Sequence, residues 1–162
     1  MTLRLDIGPG DIPADGYVSV APFGPADVAA PMWDLPWPDG VVEEIRAWHC
    51  LEHVAAGRVD PSLCEWRRVL RPGGTLDLMV PDLDYACRYW LGLVPPNRPD
   101  DFATDWSLAL LFGKQDDEGQ FHRTGFNRQR LVAALWRAGF TDTSVDRVWS
   151  HAQQCLRVVL VR

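Results

Sequence analysis

A chain of 162 residues with 47% hydrophobic and 23% charged residues has the size and balance of one globular domain. A formal net charge of −6, a single lysine (Lys114) and no basic run exclude a protein that holds nucleic acid mainly through its phosphates. No apolar stretch has bilayer-spanning length, no leader-like segment precedes the first strand pattern, and the four cysteines form no CxxC pair, so a cytoplasmic protein with reduced thiols is expected.

The first pattern is "LRLDI", where Leu3, Leu5 and Ile7 alternate with Arg4 and Asp6, the period of a strand. Gly8-Pro9-Gly10 follows it directly, as a tight turn that lets backbone approach a ligand would require. "GYVSVA" reads as a second short strand. Five prolines between residues 22 and 40 forbid a long helix there and leave a loop, with one short strand near Met32. "EEIRAWHC" reads as a buried strand ending at His49, followed by a short helix through "LEHVAA". From Asp60 to Leu70 a firmer helix is expected, with Asp60 as N-cap, Pro61 in the first turn, and Leu63, Trp66 and Leu70 on one face. Pro72-Gly73-Gly74 ends it, and "TLDLMVPD" is the next strand.

Two helices, "DLDYACRYWLGL" and "DFATDWSLALLF", flank a proline loop at 94–99, and a polar loop follows them. Residues 85–125 thus form a helical insertion and a candidate lid. The last helix is capped by Asn127, turns Leu131, Ala134, Leu135 and Ala138 inward, and stops at Gly139. Strands near "TSVDRV" and "CLRVVLV" complete the chain. The eight tryptophans are expected mostly in the core or in pocket walls.

Strands alternating with helices predict a single α/β domain over residues 1–162, built on a mostly parallel sheet. In such sheets ligands bind beyond the carboxyl ends of the strands, where strand order reverses. The positions that matter are therefore Gly8–Gly10, Ala21, Asp34, Trp48–His49 and Pro81–Asp84.

The blocks "LDIGPG", "WDLPWPDGVVEEIRAWHCLEH" and "EWRRVLRPGGTLDLMVPD", in that order and spacing, resemble the class I S-adenosylmethionine-dependent methyltransferases, in particular small bacterial members of the methyltransferase-domain type. "FHRTGFNRQRLVAALWRAGF" extends the resemblance more weakly. It implies a Rossmann-like, doubly wound sheet with a final antiparallel strand, truncated before the first strand. It also implies S-adenosylmethionine as cofactor. Asp6, Gly8, Pro9 and Gly10 would lie at its methionine part. Asp34 and Leu35 would meet adenine, with a carboxylate for the amino group and an apolar wall. Trp48 and His49 would stand near the sulfonium.

Two departures from the family accompany these matches. The carboxylate that holds both ribose hydroxyls at the end of the second strand is replaced by Ala21, with Ser19 and Asp27 as stand-in candidates. The linker from Gly10 to Gly16 is too short and proline-broken for the family's first helix. An open cofactor face of this kind would suit cover by the 85–125 insertion or by a second subunit in a homodimer.

For catalysis, positioning alone can supply much of methyl transfer. Where the acceptor must lose a proton, His49, Asp82, Tyr85 and His122 are the candidate bases; Asp82 and Asp84 equally fit the cap of the following helix. His49 and His53 at i, i+4 have the spacing of a zinc pair on a helix, but His49 falls at a strand end and the resemblance accounts for "LEH" without a metal, so none is expected. The chain thus reads as a methyltransferase acting on a small-molecule metabolite, with a catalytically inactive binding or scaffolding protein of the same fold as the alternative.

Overall fold

The computed structural model describes residues 2–95 and 103–162; the proline loop read at 94–99 lies largely outside them. Strands β1 (Arg4–Ile7), β2 (Val18–Ala21), β3 (Val28–Ala29), β4 (Val42–Trp48), β5 (Leu70–Pro81), β6 (Asp146–Ser150) and β7 (Gln153–Val161) form one sheet in the order β3-β2-β1-β4-β5-β7-β6. The first five pair in parallel. β7 runs antiparallel between β5 and β6. The expected mostly parallel sheet with an inserted antiparallel strand is therefore present, and strand order reverses between β1 and β4.

The two-residue period of the strands sorts the side chains by face. Leu5, Ile7, Ile45, Ala47, Leu76, Leu78, Val80, Leu156, Val158 and Leu160 turn to one side and are almost wholly buried. There they pack with Leu63 and Trp66 of α1 (Val59–Val69) and Leu131 and Leu135 of α4 (Arg128–Arg137). Each such side chain contributes roughly 1.5–3 kcal/mol on burial. Trp66 also donates its indole N–H to the Met32 carbonyl at 2.9 Å, which satisfies its only polar atom and ties the proline-rich loop to α1.

The other side of the same strands carries charge. Arg4 is opposite Glu44 and Asp6 is opposite Arg46, each pair 3.7 Å apart. Arg157 of β7 grips Asp77 of β5 with two bonds of 2.9 Å. Val159 and Val161 on this side are more than half exposed. No helix intervenes between β1 and β2: residues 11–17 form turns, as the short linker predicts.

Several local expectations shift. β4 ends at Trp48, and His49 leaves it with φ of 53°, a backbone turn that breaks the strand. The helix expected through "LEHVAA" is two 3-10 turns, Leu51–His53 and Ala56–Arg58. The second turn runs into α1, with the Val59 N–H bonded to the Ala56 carbonyl. Asp60 is therefore not the cap; it sits in the first turn and binds Arg137 of α4 through both oxygens. The short strand near Met32 is β3, at Val28–Ala29, while Met32 itself is buried in the core. Asn127 does cap α4, accepting from the Arg130 N–H. Of the tryptophans, Trp66 is fully buried, but Trp90, Trp136 and Trp149 are 48%, 62% and 62% exposed, because their helices and edge strand turn those positions to solvent.

Within the insertion, α2 (Leu83–Trp90) and α3 (Ala103–Phe112) share a separate small core of Tyr85, Ala86, Tyr89 and Leu110. The loop after α3 docks on the turn that follows β4: the N–H groups of Arg123 and Thr124 both donate to the Glu52 carbonyl. No helix among the described residues is long and apolar enough to cross a membrane.

Replacing Trp66 with alanine should lower unfolding stability by about 3–5 kcal/mol, read as a shift in the urea midpoint with little change of slope.

Candidate active site

Registers locate the carboxyl edge of the sheet. Ile7 is opposite Val20, and Asp6 is opposite Arg46. Gly8, Ala21 and Trp48 therefore share one level at the β1/β4 reversal, with the β2 end beside it. The Gly8 N–H donates to the Val20 carbonyl. Gly8 has φ of 65°, and a Cβ there would stand 2.4 Å from the Cys50 Cβ. That position needs glycine for packing and for backbone together. Gly10 has φ of 62° but nothing within 4 Å of the place its Cβ would take. Its missing side chain leaves open space, the room a ligand needs to lie on the backbone. Pro9 is half-buried between them.

Asp6 is 2% exposed and is spent on the protein itself. It accepts from the Ala14 N–H at 2.8 Å and faces Arg46, so its work is to fold the linker back over β1. On the adenine side, Asp34 is exposed, and its N–H is held by the Pro31 carbonyl. Leu35, expected as the apolar wall for adenine, turns its side chain into the core. It is 4% exposed within the main core, its N–H bonded to Glu65 and its carbonyl to Arg68. This anchoring holds the loop that presents Asp34. Hydrogen bonds from Arg68 keep the Glu65 carboxyl below its usual range.

Ala21 closes β2 and offers no side-chain acceptor. The two stand-in candidates, Ser19 and Asp27, bind each other. Asp27 accepts from both the N–H and the hydroxyl of Ser19, and the Ser19 hydroxyl accepts from the Asp27 N–H. These bonds engage only Oδ2 of the exposed Asp27 and leave its Oδ1 open, while Ser19 is buried two residues below the strand end. These hydrogen bonds hold the Asp27 carboxyl below its usual range. Trp48 is half-buried under two guanidinium groups, with Arg46 4.2 Å and Arg157 5.3 Å from its ring centroid, while its buried N–H has no partner.

Among the candidate bases, Asp82 is eliminated by its bonds. It is 1% exposed; one oxygen caps α2 through the Asp84 N–H and the other accepts from Arg147 at 3.0 Å. Tyr85 is buried against Tyr89 and Trp149. His49 is different. Its Nδ1 is 3.6 Å from Glu52 Oε1, and its Nε2 is 3.3 Å from the Ser150 hydroxyl and 3.9 Å from Cys155 Sγ. Burial raises that thiol to about 12, so Cys155 is a neutral neighbour. His122 lies ring to ring with His53 at 5.2 Å, and burial pushes it below the ordinary imidazole range.

The residue that sequence reasoning missed is Glu52. It is 2% exposed, and its Oε2 is buried without a hydrogen-bond partner. "HCLEH" drew attention to its histidines as a helical pair. Only the docking of the 121–124 segment brings His122 to the same glutamate.

A methyltransferase-domain family model matches residues 16–78. No curated protein sequence matches the chain. Among solved structures, a methyltransferase from Methanosarcina mazei superposes with a TM-score of 0.66 at 15% identity, covering 98% of this chain and 91% of that one. One from Archaeoglobus fulgidus gives 0.63 at 13%, covering 99% and 86%. The Burkholderia thailandensis 1,6-didemethyltoxoflavin-N1-methyltransferase, solved with its substrate and S-adenosylhomocysteine, gives 0.63 at 16%, covering 99% and 70%. The superpositions bear out the class I methyltransferase fold that the sequence resemblance implies, and the family match agrees with it over residues 16–78.

The two glycines should separate in mutagenesis. Gly10→Ala should cost about 1–2 kcal/mol of stability from backbone strain alone. Gly8→Ala should add a further ~1–3 kcal/mol from the collision with Cys50, both measured by chemical denaturation.

Proposed function

We propose that this class I methyltransferase fold transfers the methyl group of S-adenosylmethionine to a small-molecule acceptor. The observation that carries the reading is the positive-φ Gly8–Gly10 turn, with free space at Gly10, at the reversal point of the sheet. The residues present fit the cofactor in two of its three parts. The glycine turn supplies backbone for the methionine end, and exposed Asp34 supplies an acceptor for the adenine amino group. At the ribose, Ala21 offers no acceptor and leaves the hydroxyls to backbone, water or the open Oδ1 of Asp27. When bound, the cofactor supplies the electrophilic methyl group. The chain supplies position and, where the acceptor carries a proton, a place for it.

His49 is the residue best placed for that proton. It stands at the end of β4, next in sequence to the Cys50 that packs on Gly8. Glu52 faces one ring nitrogen and Ser150 the other, which fixes the ring and favours imidazolium once formed. The small-molecule class of acceptor draws support from the toxoflavin-precursor methyltransferase among the structural relatives.

A second reading is a protein of the same fold without turnover, acting as a binding partner. Ala21 favours it, since a charged hydrogen bond of the kind lost contributes about 1.5–3 kcal/mol. The two readings diverge in one calorimetric series with S-adenosylhomocysteine. The wild-type chain should bind it weakly, Asp34→Ala should weaken it further, and Ala21→Asp should tighten it roughly tenfold to a hundredfold. Absence of heat at millimolar ligand would remove the methyltransferase reading. In a methyl-transfer assay across small acceptors, His49→Ala should lower turnover by about a hundredfold while leaving S-adenosylhomocysteine affinity unchanged. A wild-type chain that binds the ligand yet transfers no methyl group would favour the second reading.

A further inference from the structure

The four histidines of the chain, drawn from three separate stretches of sequence, gather around one buried glutamate. His49 Nδ1 lies 3.6 Å from Glu52 Oε1, and His151 sits edge-on to His49 at 5.1 Å. On the other side, one atom each from Glu52, His53 and His122 lie within 4.8 Å of one another. A carboxylate oxygen buried without a partner is costly in a folded chain. Glu52 Oε2 is such an oxygen, and its carboxylate belongs to this group.

We propose that Glu52, His53 and His122 form a binding site for one divalent first-row transition cation, with zinc as the ion their two imidazoles and one carboxylate favour. The state of each imidazole supports this. His53 Nδ1 is 3.0 Å from the Phe121 carbonyl; an N–H there donates and leaves Nε2 as a free lone pair. His122 likewise spends one ring nitrogen on the Leu110 backbone, which leaves the other to coordinate. A backbone carbonyl behind each ligand is how histidines are commonly held at metals. With ligands about 2.0–2.2 Å from the ion, the three donor atoms would close by roughly an ångström, a side-chain adjustment.

The backbone around the group is fixed. The N–H groups of Arg123 and Thr124 bind the Glu52 carbonyl, and the His122 N–H binds the Phe112 carbonyl. Gly113 has φ of 81° and lies so close to the Gln120 backbone that any Cβ would overlap it, which pins the loop returning to His122. Three protein ligands leave a tetrahedral ion one open position, for water or an acceptor oxygen. A small pocket lined by Glu52 and His122 and walled by Pro81, Leu83 and Leu110 adjoins the group. His49, 3.6 Å from Glu52 Oε1, acts as an outer partner. This site does not depend on methyl transfer.

The test uses the untagged chain after dialysis against chelator, titrated with zinc chloride by calorimetry and with cobalt(II) by visible absorption. One zinc per chain should bind at micromolar ion and raise the melting temperature. His53→Asn and His122→Asn, both at partly exposed positions, should each weaken binding at least about a hundredfold and abolish the cobalt spectrum. Glu52→Gln should do the same, whereas His151→Asn should bind as the wild type does. No binding by the wild type, binding unchanged in both His53→Asn and His122→Asn, or equal loss in His151→Asn would each overturn the assignment.

Discussion

The structure depends on a sheet that is apolar on one face and ionic on the other. Along β1, β4, β5 and β7 every second residue enters the main core against α1 and α4. The intervening residues alternate in charge across the strands, as Asp6, Arg46, Asp77 and Arg157. With no helix between β1 and β2 to cover that second face, polar residues are what it can carry without exposing a large apolar surface. The guanidinium groups of Arg46 and Arg157 serve twice, since both also lie over the Trp48 ring and shield it from water.

That economy shapes the site. The linker after Gly10 is held by Asp6 through the Ala14 N–H in place of a helix. An acid at the end of β1 that might have faced a ligand is thereby committed to the fold. At β2, Ser19 is likewise spent on Asp27, which keeps Oδ1 outside those bonds. What remains for a cofactor is backbone geometry at Gly8–Gly10 and exposed carboxylates, above all Asp34, on a loop anchored by Leu35, Glu65 and Arg68. The insertion contributes on the other side of the reversal point. Its closing segment docks on the Leu51–His53 turn and brings His122 beside the buried Glu52 and His53.

Much of the fold was legible because it rests on local periodicity. The alternation in "LRLDI" and the Asn127 cap are each decided by neighbouring residues, whereas the helix expected to stop at Pro72-Gly73-Gly74 ends at Val69 and that segment already lies in β5. Errors fell where a neighbour distant in sequence intervened. Asp60 looks like a cap until the preceding 3-10 turn supplies the Val59 bond and Arg137 claims the carboxylate. Leu35 looks like an adenine wall until α1 takes its backbone and the core takes its side chain. Asp82 fits a base or a cap equally well in one dimension, and Arg147 on β6 decides for structure.

By itself, the sequence determined the α/β class, the glycine turn after β1, the absent acid at Ala21 and the missing helix between β1 and β2. Each of these is carried by residue type at a position, where φ preference, proline geometry or the lack of an oxygen admits one outcome. Only the tertiary structure decided which polar groups are free. Hydrogen bonds saturate, and whether Asp6, Ser19, Asp27, Asp82 or Glu52 has a lone pair to spare depends on partners that chain folding delivers from elsewhere. Glu52 alone among them is buried with an oxygen unmatched, and the histidines reached it from both sides of the reversal point.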